Sequence, residues 1–302
     1  MSDFAVSSGM TWSEASRRAK PLVTRALELV ARYPLGAFGL FVLGAFALAG
    51  VLAPWVAPYP YDQTNILRQL ESPGWPHLLG TDNLGRDVLS RLIWGARVEL
   101  LVGLGAIAIA ATVAVVVGVP SGFYGGKVDL FVQRAVDVLQ AFPGLVLLIT
   151  IISMFQPGLY QVMVAIGIVL SPAAIRVVRA ASLEISQRPY VESARAVGAS
   201  DFRILVSYVL LNTFAPLMVT VTTLLGVAIL LEASLSFLGY GVPPPQPSWG
   251  AMLGPDARRD MLRAPLLSVW PGLAIFLTVF SFNMLGDALR DALDPRLRNV
   301  RA

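Results

Sequence analysis

The chain has 302 residues, 56% of them hydrophobic and 14% charged, with a mean hydropathy of +0.68. A soluble domain carries about a quarter charged residues, so this chain has too little charge to cover a soluble surface of its size. The formal net charge of +4 would suit nucleic acid in a polar chain. In one this apolar the basic excess is assigned to cytoplasmic loops, and no nucleic-acid partner is expected.

There are no cysteines, which removes disulfides and thiolate metal sites and leaves the compartment open. Residues 1–34 carry Arg17, Arg18, Lys20, Arg25 and Arg32 ahead of the first apolar run. That run is too long for a signal h-region, so a cytoplasmic arm is expected, with an amphipathic helix near Ser13–Arg32. Six windows approach the roughly 20 residues that cross a bilayer as a helix: Leu35–Ala53, Leu100–Val119, Val138–Phe155, Leu159–Ile175, Leu205–Leu231 and Pro265–Leu285. None alternates as a barrel strand would, so an all-α integral membrane fold with six transmembrane helices in contact with lipid is expected. The divisions are an arm at 1–34, a first span at 35–53 and an outer loop at 54–99. A five-span core follows at 100–286, with a cytoplasmic loop at 176–208, and then a tail at 287–302.

With both termini inside, the inner segments hold 16 of the 23 basic residues, which places both termini in the cytoplasm. Trp55, Trp75, Trp94, Trp249 and Trp270 then fall at the outer face, where indoles favour the interface. The second span carries Ala106, Ala110, Ala114 and Gly118, a ladder of small residues that admits a second backbone and reads as ordinary bundle packing. Within it "GLGAIA" (103–108) matches a dinucleotide fingerprint, but no strand precedes it and the reading is rejected. Pro143, Pro172, Pro216 and Pro271 put one proline in each of the last four spans. They read equally as tolerated bends or as hinges of a pathway.

The spans show almost no ionisable residue away from their ends, which argues against an ion-coupled carrier. His77, the single histidine, reads as a solvated loop residue rather than a ligand or base. Asp287 and Asp291 flank Arg290 on a charged helix and read as a solvated face. No catalytic set and no metal site is found. "GGKV" (125–128) lacks the residues of a phosphate loop, so any ATP must be brought by a partner.

The cytoplasmic stretch "SQRPYVESARAVGASDFRILVSYVLLN" (186–212) is different in kind. Pro189 suits the first position of a helix, Tyr190–Val197 contains no breaker, and Gly198 suits the turn that ends one. Ser200 can cap the next helix, whose dipole Asp201 complements. Val191, Ala194 and Val197 are expected on one face with Glu192 and Arg195 beside it. One acid and one base make a weak membrane binder, so a protein partner is expected.

Glu192-Ser-Ala-x-x-x-Gly198 resembles the cytoplasmic "EAA" loop of ABC importer permeases, whose short coupling helix enters a groove of a separate ATPase. Ser193 stands where the family has its second alanine, and Tyr208-Val-Leu-Leu211 lacks the family's downstream proline. "LLGTDNLGRDVLSRLIWGAR" (78–97), "LSFLGYGVPPPQPSWGAML" (235–253) and "LGDALRDALDPRLR" (285–298) are similar to the C-type permeases of dipeptide, oligopeptide and nickel importers.

The resemblance implies the type I ABC importer permease (MetI-like) fold in a bacterial cytoplasmic membrane. It implies as partners a second homologous permease, two ATP-binding subunits and an extracytoplasmic substrate-binding protein. ATP and Mg would be bound by the ATPases, with no cofactor in this chain. The ATPase-coupling residues it implies are Tyr190, Glu192, Ser193, Ala194, Arg195, Gly198, Ala199 and Asp201; no substrate-binding residue follows from it. From the residues themselves, "PPPQP" (243–247) is expected to run extended and Trp249 to anchor at the interface. Both read either as loop structure or as part of a docking face for the binding protein. The expected function is a non-catalytic permease for di- or oligopeptides. The alternatives are a nickel or other solute importer of the same family, a stand-alone secondary carrier and, last, an intramembrane enzyme.

Overall fold

The computed structural model describes residues 32–293. The expected helix near Ser13–Arg32 lies outside the described residues apart from Arg32, as does the tail from residue 294. Every named element is helical: α1 (Pro34–Val51), α2 (Val88–Tyr124), α3 (Gly126–Ala141), α4 (Gly144–Ser153), α5 (Leu159–Ser186), α6 (Pro189–Ala196), α7 (Asp201–Phe237), α8 (Trp249–Met252), α9 (Pro255–Asp260) and α10 (Leu266–Leu293). Five of these, α1, α2, α5, α7 and α10, are long and apolar enough to cross a membrane. The α3–α4 pair passes the same test only when taken together and is bent by 92°, which gives six if the pair is one broken span.

The bend explains why a straight third span at Val138–Phe155 is not what forms. Phe142 is extended and Pro143, with no N–H to give, stands at the N-cap of α4. Val138 therefore belongs to a helix pointing elsewhere. At about 1.5 Å per residue, the ten residues of α4 cannot cross a bilayer core alone. Pro172, Pro216 and Pro271 instead lie within continuous helices.

Helices α2, α5 and α7 pack on one another, α10 lies on α7, and α1 bridges α10 and α2. The α2 and α5 helices run parallel, because the α3–α4 elbow carries the chain back between them. The small-residue ladder lies buried in this contact: a Cβ on Gly118 would stand 2.9 Å from the carbonyl oxygen of Ile175. Backbones this close leave no room for a side chain. One π turn interrupts α2 at Ala114–Gly118 and another interrupts α7 at Leu205–Leu210.

The second span begins earlier than the hydropathy suggests. Asp87 caps α2, its carboxylate accepting the Ser90 N–H (2.8 Å) and hydroxyl (2.7 Å), so residues 88–99 are helix rather than loop. Similarly, α7 continues through Leu231 to Phe237. Both extensions bring in a glutamate. Glu99 and Glu232, which the hydropathy windows leave in outer segments, are buried inside helices. The spanning helices are thus less free of ionisable residues than the sequence reading holds.

The loop ahead of α2 is also built rather than solvated. His77 is buried, its Nδ1 2.9 Å from Asp87 Oδ1 and its ring against Tyr59. Asp82 accepts the N–H groups of Leu84 and Arg86, both at 2.9 Å, and pairs with the Arg86 side chain. "PPPQP" is a turn, with Pro244–Pro245 cis, and not an extended rod. Trp249 is 1% exposed, so it is a core residue and not an interfacial anchor.

Candidate functional site

The α6 segment forms at one end of the bundle, between the ends of α5 and α7, for local reasons. Pro189 opens it after Arg188, which is extended and donates to Glu184 at 2.8 Å. That hydrogen bond holds the Arg188 guanidinium above its ordinary value. The stop is a pair of reversed bonds: Gly198 N–H to Arg195 carbonyl at 2.9 Å and Ala199 N–H to Ala194 carbonyl at 3.0 Å. This is the six-to-one and five-to-two pattern of a Schellman cap, and Gly198, at φ +87°, supplies the left-handed residue it needs. Two residues on, the Ser200 hydroxyl accepts the Arg203 N–H and starts α7.

A single side chain seats the helix. Val191 is fully buried in a cluster with Phe123 at the end of α2, Ile185 of α5 and Ile204 of α7. Ala194 and Ala199 pack at its edge. Arg195 lies over the Phe123 ring, 5.2 Å from its centroid, and Tyr190 stands 6.3 Å from Tyr208. Ala194, among the coupling residues the resemblance implies, thus packs on the chain's own core, and Arg195 leans on its own bundle. Ser193 turns its hydroxyl back to the Pro189 carbonyl at 2.9 Å.

Turned outward are Glu192, Ser193, Gly198 and Asp201, joined by Val197 at 90% and Phe202 at 76% exposure. Val197 does not share the face of Val191. Three residues advance a helix by about 300°, so each step of three slips back by 60°, and two steps put Val197 about 120° away. Phe202 was missed altogether; the signal was an aromatic side chain beside Asp201 in a polar turn.

The opposite end holds a second constellation. Trp249 sits against Phe46 of α1, with ring centroids 5.2 Å apart. Its indole N–H donates to the Leu92 carbonyl at 3.0 Å and its backbone N–H to Glu99 Oε1 at 3.1 Å. Glu232 Oε1 accepts the Ser236 hydroxyl at 2.6 Å. The capping aspartate at 87, with no proline between it and the apolar run from Leu100, was the available signal that Glu99 would be helical.

Long apolar helices with a short helix displayed between two of them define a polytopic membrane protein of the type I importer permease class. The permease chain solved as "Inward facing conformations of the MetNI methionine ABC transporter" superposes with a TM-score of 0.50 at 19% identity. That match covers 65% of this chain and 94% of that one, which establishes likeness of fold. In sequence, the family model for the binding-protein-dependent transport system inner membrane component matches residues 114–299. The N-terminal TM domain of oligopeptide transport permease C matches residues 30–73.

The glutathione transport system permease protein of Pectobacterium atrosepticum is 42% identical over 269 residues, 87% of each chain. Its counterpart in Escherichia coli is 43% identical over 265 residues, 86% of this chain and 85% of that one. The chain belongs to the binding-protein-dependent transport system inner membrane component family. It is a multi-pass membrane permease of an ABC importer, and permeases of this kind work with ATPase and substrate-binding proteins.

Proposed function

We propose that the chain is a non-catalytic permease subunit for peptides in a bacterial cytoplasmic membrane, with α6 as the helix that docks into an ATPase. The observation that carries the proposal is the display of α6. It is stopped by a left-handed Gly198, mounted through Val191, and ends in exposed Val197 and Phe202 between exposed Glu192 and Asp201. An apolar centre flanked by charges is the composition of a protein docking site. The relatives named for glutathione, itself a small peptide, favour a peptide cargo.

In this reading the α6 end and both termini face the cytoplasm. A second, homologous permease completes the pathway, and two ATP-binding subunits hold ATP and Mg. When they close on ATP they push α6, and its mount on α2, α5 and α7 transmits the push to the spans, which rock as bodies. Tyr190, Arg195, Ala194 and Ala199 hold α6 to the bundle. Glu192, Ser193 and Asp201 meet the ATPase, with Val197 and Phe202 added to that face. A substrate-binding protein delivers solute at the α8 end.

The test is Gly198→Val. A Cβ there meets nothing within 4 Å, so the substitution acts on the backbone alone. A β-branched residue is strained at φ +87°, by about 1–2 kcal/mol. The assembled transporter should keep its spans inserted but show weakened ATPase binding or ATP hydrolysis no longer tied to uptake. Wild-type coupling in this variant would remove α6 from the docking role.

A further inference from the structure

Glu99 on α2 and Glu232 on α7 are both enclosed, at 1% and 0% exposure. They lie one turn along from where the helices touch, the Gly103 Cβ position lying 3.4 Å from Ile229 Cγ1, and α8 packs across both through Trp249 on Glu99 and Gly250 on Ala233. Glu99 Oε1 takes the Trp249 backbone N–H and Glu232 Oε1 takes the Ser236 hydroxyl. Ser248, the residue before Trp249, accepts the Ala251 N–H at 3.1 Å and so caps α8. The Oε2 of each glutamate has no donor, and among the described residues no arginine, lysine or histidine pairs with either carboxyl.

An ionised carboxylate can only accept hydrogen bonds, whereas a carboxylic acid can donate one. Two facing carboxylates in a dry site would repel with nothing between them. One proton held between them turns that repulsion into a short charge-assisted bond. The remaining single charge then rests on the Trp249 N–H and the Ser236 hydroxyl.

We propose that Glu99 and Glu232 share one proton, and that this acid–carboxylate bridge is the positioning device that fixes α8 and the 239–254 loop onto the α2–α7 seam. Without it, Glu99 could not accept from Trp249 while also facing Glu232. The transport role of the bridge rests on the reading that the α8 end receives the binding protein. A loop held from beneath by two helices presents one fixed surface to that protein.

The experiment uses the assembled transporter and its infrared spectrum, in which a protonated carboxyl shows its own C=O stretch. Wild type should show one buried acid. Glu99→Gln and Glu232→Gln should each abolish it, because the amide N–H takes over the bridge and leaves the other carboxyl ionised. Absence of the band in wild type, or its survival in either variant, would overturn the shared proton.

Positioning is read separately by labelling Val242→Cys, a buried position in the same loop at 4% exposure, with the partner subunits made cysteine-free as this chain already is. Glu232→Ala should raise the labelling rate about tenfold, the scale of a lost buried hydrogen bond. Glu232→Gln should stay within about twofold of wild type. Equal labelling in all three would overturn the positioning role. If the spectrum and labelling behave as expected but Glu232→Ala leaves binding-protein affinity unchanged, the bridge stands and the docking of the binding protein at this end falls.

Discussion

At one end of the bundle, α6 is defined by bonds between near neighbours: Gly198 to Arg195, Ala199 to Ala194, Arg203 to Ser200. At the other, α8 is fixed by bonds from Trp249 to residues 150 and 157 positions away. The first arrangement defines a small piece and attaches it through the inserted Val191, with Ala194, Ala199, Tyr190 and the Arg195 cation–π contact around it. The second ties a loop to two helices and to the packing between α1 and α2. A lever that must take a push can be a self-contained piece on a defined mount, whereas a surface that must keep its shape needs cross-links from distant chain. The helix stops and caps can form wherever the local sequence occurs, but the Trp249 contacts exist only once the bundle has assembled.

The comparison breaks most visibly at Trp249. Trp249→Ala removes a fully buried indole, its hydrogen bond to the Leu92 carbonyl and the contact with Phe46, at a cost of about 3–5 kcal/mol. Thermal unfolding of the purified transporter should fall sharply, with the α8 end opening first in hydrogen exchange. A smaller effect follows from Gly95, whose Cβ, if present, would stand 2.7 Å from Trp249 Cδ1. Gly95→Ala should destabilise by about 1–3 kcal/mol through overpacking. Because both changes act on one contact, the double variant should lose less than the sum of the two. Strict additivity in the melting data would mean that the glycine and the indole do not share a constraint.

The same contrast decides what could be read from sequence. Pro189, Gly198 and Ser200 announce α6 and the start of α7, because capping is set by residues within one turn. Helix class and approximate span positions were legible for a similar reason, since lipid imposes a continuous apolar run. What failed depended on distant chain. His77 reads as solvated until Asp87 and Tyr59 are brought to it. Trp249 reads as interfacial until Gly95 and Leu92 make its pocket. Glu99 and Glu232 look like loop residues because hydropathy windows end at charge, although the helices do not. Even at α6, the face of Val191 was legible only in part, since its partners Phe123 and Ile204 come from α2 and α7.

The smallest expected effect on stability is also the sharpest on coupling. Val197 lies one residue beyond the end of α6 and is 90% exposed, so Val197→Ser should move the melting temperature hardly at all, within about 0.5 kcal/mol. Its backbone N–H still donates to the Ser193 carbonyl, and the Gly198 turn is untouched, so α6 should keep its shape. If the exposed valine fills an apolar site on the ATPase, losing it removes burial worth about 1–2 kcal/mol. ATPase binding should then weaken about tenfold while the isolated permease remains as stable as wild type. Weakened binding together with a lowered melting temperature would mean that Val197 supports the fold of α6. Unchanged binding would move the contact surface away from the helix end, toward Glu192 and Ser193.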